Sequence, residues 1–305
     1  MKPFDILVAG EINPDLILSG NVEPAFKQVE KLVDSAALVL GSSSAIFACG
    51  AARLGLKVAF IGKCGDDVFG RFMLEEMRRR SVDVGNVIVI PGGSTGLSVI
   101  LNREADRAIL TYPGLIPSLR AEDLSDEYIA RARHLHVASY FLQTGLQPGL
   151  PGLFRRAHTL GLTTSLDTNW DPSGEWRGFD ALLPLVDVLL PNANEARALT
   201  GSMNEEQAIA ELGRTCHTVA VKLGANGGLA FHDGRTVAAP ALLVRVVDTI
   251  GAGDTFDAGF LYGFLNRWPL EKSLRMACAC GSLSTRESGG IAGQPTLEEA
   301  LSTFR

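Results

Sequence analysis

The sequence predicts an α/β protein: a doubly wound, mostly parallel sheet with helices on both faces, joined to a small β-sheet lid. Three observations carry this. Short β-rich runs alternate with helical patterns through most of the chain, as in successive βαβ units. Two stretches, 11–40 and 92–113, break that rhythm with strand-like patterns and no crossover helix of useful length. A chain of 305 residues, 46% hydrophobic and 20% charged, has room for one large α/β domain with a small appendage and is neither disordered nor fibrous. The core is therefore assigned to 1–10, 41–91 and 114–305, and the lid to 11–40 and 92–113.

Each element follows from its own pattern. FDILVAG, residues 4–10, reads as a buried first strand. The uncharged run 36–52 holds three serines and two glycines and reads as strand, turn, helix; with Arg53 and Lys57 just beyond, a membrane span is not expected. KVAFIGKCG, 57–65, is a strand, followed by a helix over 66–80 in which Phe69, Phe72, Met73 and Met77 share one face. TGLSVILNREADRAILTY, 95–112, is a hairpin of two β-rich arms around a polar turn. Further strands are expected at 134–139, 163–169, 187–192 and 218–224, with helices at 152–161, 194–201 and 204–214. No fixed-period repeat appears, which excludes a solenoid.

Charge and cysteine usage exclude several classes. The net charge is −6 and the only basic cluster is Arg78, Arg79 and Arg80 on a helix end, so nucleic acid is not an expected partner. The five cysteines are an odd number without paired C-x-x-C spacing, which reads as buried free thiols in a reducing cytoplasm. The opening MKPFDILVAGE meets Glu11 after a short apolar run and lacks the form of a secretory signal.

Ligands of an open parallel sheet bind beyond the carboxyl ends of its strands, and polar residues collect there. Asn13 and Asp15 follow the first strand, Asn192 and Glu195 follow DVLLP, Gly224 and Gly227 follow VAVKL, and Asp248 to Asp254 precede a late apolar helix. The run Gly251, Ala252, Gly253 at a helix start lets backbone amides approach an anion, and the helix dipole adds to the attraction. An aspartate beside those amides suits removal of a hydroxyl proton next to a phosphoryl group. Taken singly, each element has a plainer reading: a helix first turn for Asp254, a capping box for Asn192 and Glu195, an Asx turn for Asn13 and Asp15. No G-x-G-x-x-G follows the first strand and no P-loop string occurs, which argues against a dinucleotide-dependent dehydrogenase and a P-loop phosphotransferase.

DTIGAGDTFDAGF, 248–260, resembles the C-terminal signature of the ribokinase-like carbohydrate kinases, the phosphofructokinase-B family. GEINPDLIL, GSSSAIFACGAARLG, GKCGDDVFG, NANE and KLGANGG match further family marks in the same order, so the resemblance spans nearly the whole chain. It implies Asp254 as catalytic base, with the amides of Gly251, Ala252 and Gly253 as anion hole. Asn192 and Glu195 match the element that orders Mg2+, largely through water, and Lys222, Gly224 and Gly227 the nucleotide loop. Asp248 and the carbonyl of Ile250 resemble part of a monovalent-cation (K+) site, completed by TRESGG at 285–290. Asn13 and Asp15 match the acceptors of sugar hydroxyls, Gly41 and Ser42 the start of the substrate loop, and Asp167 and Asn169 a D-x-N pattern near the substrate. Trp170 and Trp176 are read as packing residues.

The chain departs from the family where a second glycine and then an asparagine are usual in the substrate loop: Ser42 and Ile46 stand there, Ser43 stands where some members carry a lysine, and Ile46 has no side-chain hydrogen bond to offer a sugar. The implied activity is ATP- and Mg2+-dependent transfer of the γ-phosphoryl group to a primary hydroxyl of a small unphosphorylated carbohydrate or polyol, in a cytoplasmic homodimer joined through the lids. A nucleoside kinase, a sugar-phosphate kinase or a catalytically idle sensor on the same fold are the alternatives. A sensor gains nothing from a base beside an anion hole.

Overall fold

The computed structural model describes residues 2–103 and 106–304. In chain order the regular elements begin with β1 (Phe4–Ala9), β2 (Pro14–Ser19), β3 (Ser35–Leu40), α1 (Ser43–Arg53), β4 (Val58–Ile61), β5 (Lys63–Gly65), α2 (Val68–Arg79) and β6 (Ile88–Ile90). Then come β7 (Leu97–Arg103), β8 (Asp106–Tyr112), α3 (Asp126–Ile129), β9 (Ala132–Val137), α4 (Leu150–Thr159), β10 (Thr163–Leu166), β11 (Val188–Leu189) and α5 (Ala193–Thr200). The chain closes with α6 (Glu205–Leu212), β12 (Thr218–Lys222), β13 (Gly228–His232), β14 (Arg235–Ala239), α7 (Ala252–Leu265), α8 (Leu270–Ser284) and α9 (Leu297–Ser302). The turn of the expected hairpin falls at Glu104 and Ala105, outside the described residues.

The central sheet has eight strands in the order β14-β13-β12-β11-β10-β9-β1-β4. From β4 to β12 all neighbours are parallel; β13 and β14 add an antiparallel edge. Strands covered on both faces are apolar throughout, and β1 shows why. Its Ile6 and Val8 join a core layer with Phe47 of α1, Phe256 and Phe260 of α7 and Leu274 of α8. Its Leu7 and Ala9 join a second layer with Ile129 of α3, Phe154 of α4 and Ile209 of α6. Helices on both faces thus follow from the alternation of one strand.

A separate four-stranded sheet, in the order β3-β2-β7-β8, pairs β2 in parallel with β7 and antiparallel with β3. It rests on the core through Ile17, Val39, Ile100 and Ile250. The strand expected over 57–65 is divided. At Gly62 a side chain would lie 2.4 Å from the carbonyl oxygen of Gly10, and beyond it β5 leaves the main sheet to pair with β6. The strand expected over 187–192 shortens to two residues, because Asn192 already caps α5.

Candidate active site

The Gly-Ala-Gly run forms the start of α7. Gly251 is the N-cap in a left-handed conformation (φ 71°), where a Cβ would lie 2.9 Å from Ile46 Cγ2 and 2.7 Å from the carbonyl oxygen of Gly290. Glycine is required there on both counts. The first amides of a helix have no partner within it and carry its positive pole. Asp254 is the third residue of that turn and is buried. Burial, then the charge of Asp167, pushes its carboxyl well above the ordinary range, while Lys222 and a hydrogen bond from Ser43 hold it down. A carboxyl so placed is a stronger base than one in water.

Beneath the turn lies a buried charge cluster that sequence reasoning did not assemble. Lys222 Nζ is 3.0 Å from Asp167 Oδ2 and 3.0 Å from Asp257 Oδ2. Burial pulls the ammonium towards its neutral form, but Asp167, Asp257, Glu195 and Asp254 together push it up, so it stays charged. Carboxylate oxygens of Asp167, Asp254 and Asp257 lie within 4.8 Å of one another, close enough to be a ligand set for a metal ion. Lys222 is the cation that two of them hold. The sequence placed Lys222 in the nucleotide loop; its side chain lies beside the Gly-Ala-Gly turn, its Cδ 3.4 Å from where a Cβ on Gly253 would stand. Asp257, one turn beyond Asp254, has its Oδ1 buried without a hydrogen-bond partner among the described residues.

At the other end of the site Asn13 Nδ2 donates to Ser98 Oγ of the small sheet (3.2 Å) and lies 3.5 Å from Asp15 Oδ1. Burial, then Glu11, pushes the Asp15 carboxyl up to about 7, against the pull of Arg107. Gly41 meets this residue directly: a Cβ on it would stand 2.2 Å from Asp15 Oδ1. Glu11, which the sequence offered only as a charge ending an apolar run, is a buried hub. It accepts from Ser42 Oγ, Ser44 N, Ser44 Oγ and Ser139 Oγ.

Those contacts give Ser42 and Ile46 roles in the fold. Ser42 Oγ donates to the carbonyl oxygen of Glu11 at 2.7 Å and accepts from Ala45 N as the cap of α1. Ile46 is buried against Gly251 and Gly290 and packs behind the turn that opens α7. Ser43 is the serine that reaches Asp254: it donates to that carboxyl and accepts from Asn169 Nδ2 at 2.8 Å. Asn169 Oδ1 in turn accepts from Ser139 N at 2.9 Å, which ties the loop after β10 to the loop after β9.

Asn192 and Glu195 form a reciprocal capping box: Glu195 N donates to Asn192 Oδ1 (3.0 Å) and Asn192 N to Glu195 Oε2 (2.8 Å). Glu195 is buried, and burial followed by Asp167 pushes it up to about 7. Gly224 and Gly227 are both left-handed in the turn between β12 and β13. Asp248 accepts from Ile250 N through Oδ1 (3.0 Å) and from Gly289 N through Oδ2 (2.9 Å), so it fastens the turn before α7 to the segment 285–290. All these groups lie along the carboxyl rim of the parallel strands.

A sequence profile described as "pfkB family carbohydrate kinase" matches residues 5–297. The chain belongs to that family. It is a carbohydrate kinase, a phosphotransferase with a sugar hydroxyl as acceptor. It is 30% identical to a 5-dehydro-2-deoxygluconokinase of Bacillus subtilis, over 98% of this chain and 95% of that one. It is 28% identical to a ribokinase of Haemophilus influenzae, over 97% of both. Among solved structures, Arabidopsis thaliana ribokinase complexed with ribose and ATP superposes with a TM-score of 0.86 at 25% identity, covering 99% of both chains. A putative ribokinase II from E. coli in complex with ATP and Mg2+ shares the fold, with a TM-score of 0.87 at 23% identity and 98% of both chains covered.

Proposed function

We propose that this carbohydrate kinase transfers the γ-phosphoryl group of ATP in line to a primary hydroxyl of a small unphosphorylated carbohydrate, with Asp254 as the base. The observation that carries this reading is the placement of Asp254 in the first turn of α7, beside the amides of Gly251, Ala252 and Gly253. The carboxylate takes the proton from the acceptor hydroxyl as the bond to phosphorus forms, and the amides receive the charge of the transferred group. Ser43 orients the carboxylate, and Asn169 orients Ser43.

Asn13 and Asp15 receive the hydroxyls of the acceptor, while Gly224 and Gly227 let the backbone approach the nucleotide. The residues present fit a hydrated magnesium ion: Glu195 is a carboxyl whose burial beside Asp167 favours the proton, and a divalent cation nearby would hold it ionised. Magnesium would neutralise charge on the triphosphate. A monovalent cation at Asp248 and the Ile250 carbonyl belongs to the same proposal and is tested by exchanging potassium for sodium. In a reducing cytoplasm the five cysteines, all buried and free, stay thiols.

A carboxylated sugar is the narrower reading of the acceptor. Arg107 crosses from β8 to the loop before the anion hole, with Nη1 3.4 Å from Thr249 Oγ1, and its charge is felt at Asp15. A guanidinium above the hydroxyl acceptors suits a carboxylate. The relative from Bacillus subtilis is named for a deoxygluconate.

The test is ADP release with ATP, magnesium and potassium over pentoses, hexoses, keto-deoxy sugar acids, inositols, sugar phosphates and nucleosides. An unphosphorylated sugar or sugar acid is expected to lead in kcat/KM; a sugar phosphate or nucleoside ahead by about tenfold, ~1.4 kcal/mol, overturns the acceptor assignment. Asp254→Asn is expected to keep nucleotide binding and to lower kcat by roughly 10²–10⁴. Near-normal turnover in that variant removes Asp254 from the mechanism.

A further inference from the structure

β12 and α7 each have two functional ends. Lys222 and Asp254 mark the end at the anion hole; Thr218 and Phe264 mark the other, ~13 Å away along the strand. At that far end lies a cavity of about 230 Å3, lined by Thr218, His232, Phe264, Arg267, Trp268 and Ser273 among others. None of these residues belongs to the site described above.

The turn that closes α7 is a Schellman motif. Trp268 N donates to the carbonyl oxygen of Gly263 and Arg267 N to that of Phe264, both at 3.0 Å. This pattern puts Arg267 at the position that glycine ordinarily fills, with φ at 55°. An arginine there strains the backbone by about 1 kcal/mol. Arg267 also lines the cavity, and among the described residues its guanidinium pairs with no carboxylate. The carboxylates next in the chain to lining residues are engaged: Glu271 binds Arg235, and Asp233 lies 3.3 Å from His232 Nε2.

The walls suit a compact apolar body. Phe260 and Phe264 form one side, and Trp268 is held edge-on by Tyr262 at 5.3 Å with Lys272 Nζ 3.8 Å from its ring centroid. The polar lining is Thr218, whose Oγ1 lies 2.9 Å from His232 Nδ1, Ser273, whose Oγ donates to the carbonyl oxygen of Pro269, and Arg267. A largely apolar cleft with a few polar groups is the general form of a small-molecule site, and the planar fork of arginine matches a carboxylate.

We propose that this cavity is a second binding site, for a small carboxylate carrying an aromatic body. Calorimetric titration of the full chain with benzoate, and with benzyl alcohol as the uncharged counterpart, tests it. Benzoate is expected to bind with a Kd of about 1 mM or below and benzyl alcohol at least tenfold more weakly. Arg267→Gly is expected to lose at least tenfold in benzoate affinity, to melt at a higher temperature because the strain is relieved, and to keep its kinase turnover. The proposal is overturned if benzoate shows no binding up to about 20 mM, if Arg267→Gly or benzyl alcohol binds as tightly as the parent pair, or if Arg267→Gly melts lower.

Discussion

At the scale of single residues, the site holds more carboxyl groups than a solvated surface would make costly, and Asp15 shows the consequence. Its carboxyl ordinarily titrates near 3.8 and is pushed up to about 7 by burial and Glu11, with Arg107 opposing. Between those values the folded chain keeps a proton that the unfolded chain releases. Stability is therefore lost as pH rises through the window from about 4 to 7, and the full cost is present above it. Glu195, pushed up to about 7 by burial and Asp167, acts in the same direction. Asp15→Asn keeps the shape and removes the ionisation. It is expected to melt a few degrees higher than the parent at pH 8, to melt at the same temperature near pH 4, and to raise KM for the acceptor by about tenfold or more. Equal melting temperatures at pH 8 would show that Asp15 is ionised in the fold at no cost. The sequence pointed to this residue through the N-x-D spacing. It could not point to Glu11, whose partners Ser42, Ser44 and Ser139 stand up to 128 positions away and look like ordinary loop serines.

Among the elements, the parallel strands were legible because burial on both faces leaves continuous apolar runs, and the amphipathic α2 was legible from its period. What was missed has a physical pattern. β13 and β14 form a hairpin around Asp233 and Gly234, a two-residue turn signal present in the chain, yet their mixed polarity on an edge hides them among helices. Asp257 sits in an apolar helix, and its partner Lys222 is 35 positions distant on β12. That pair joins β12 to α7. Removing the ammonium leaves Asp167 and Asp257 buried without a counter-ion, which is far worse than never burying them. Lys222→Met is expected to cost about 3–5 kcal/mol in urea unfolding, and Lys222→Met with Asp257→Asn to recover at least half of it. A loss below ~1 kcal/mol for Lys222→Met would mean that the carboxyls are already neutral and that the ion pairs do not fasten α7 to the sheet.

For the whole molecule, the small sheet poses a question of shape. Strand register puts Leu16, Leu38, Val99 and Leu110 in one row and Leu18, Ala36, Leu101 and Ala108 in the next, all on the face turned away from Ile250. Leu110 is 60% exposed and Tyr112, opposite Leu97, 56%. The inward face carries Asp15, Ile17, Ser98 and Ile100 and covers the end of the site that holds Asn13. Soluble monomers rarely expose two continuous apolar rows, and the edge strands β3 and β8 add unpaired backbone groups. A second copy offers the same surface, and a two-fold axis lets each sheet cover the other's outer face. The sheet would then act as a lid that excludes water from the acceptor and is itself braced by its partner. Light scattering is expected to give twice the 32.5 kDa of the chain. Charges placed on the outer face by Leu38→Glu with Leu110→Glu are expected to yield monomers, and to raise KM for the acceptor and the rate of ATP hydrolysis without acceptor, because the lid loses its brace while Asp254 and its amides are untouched. A parent that scatters as a monomer at assay concentrations, or a monomeric double variant with unchanged KM, would separate the lid from any partner.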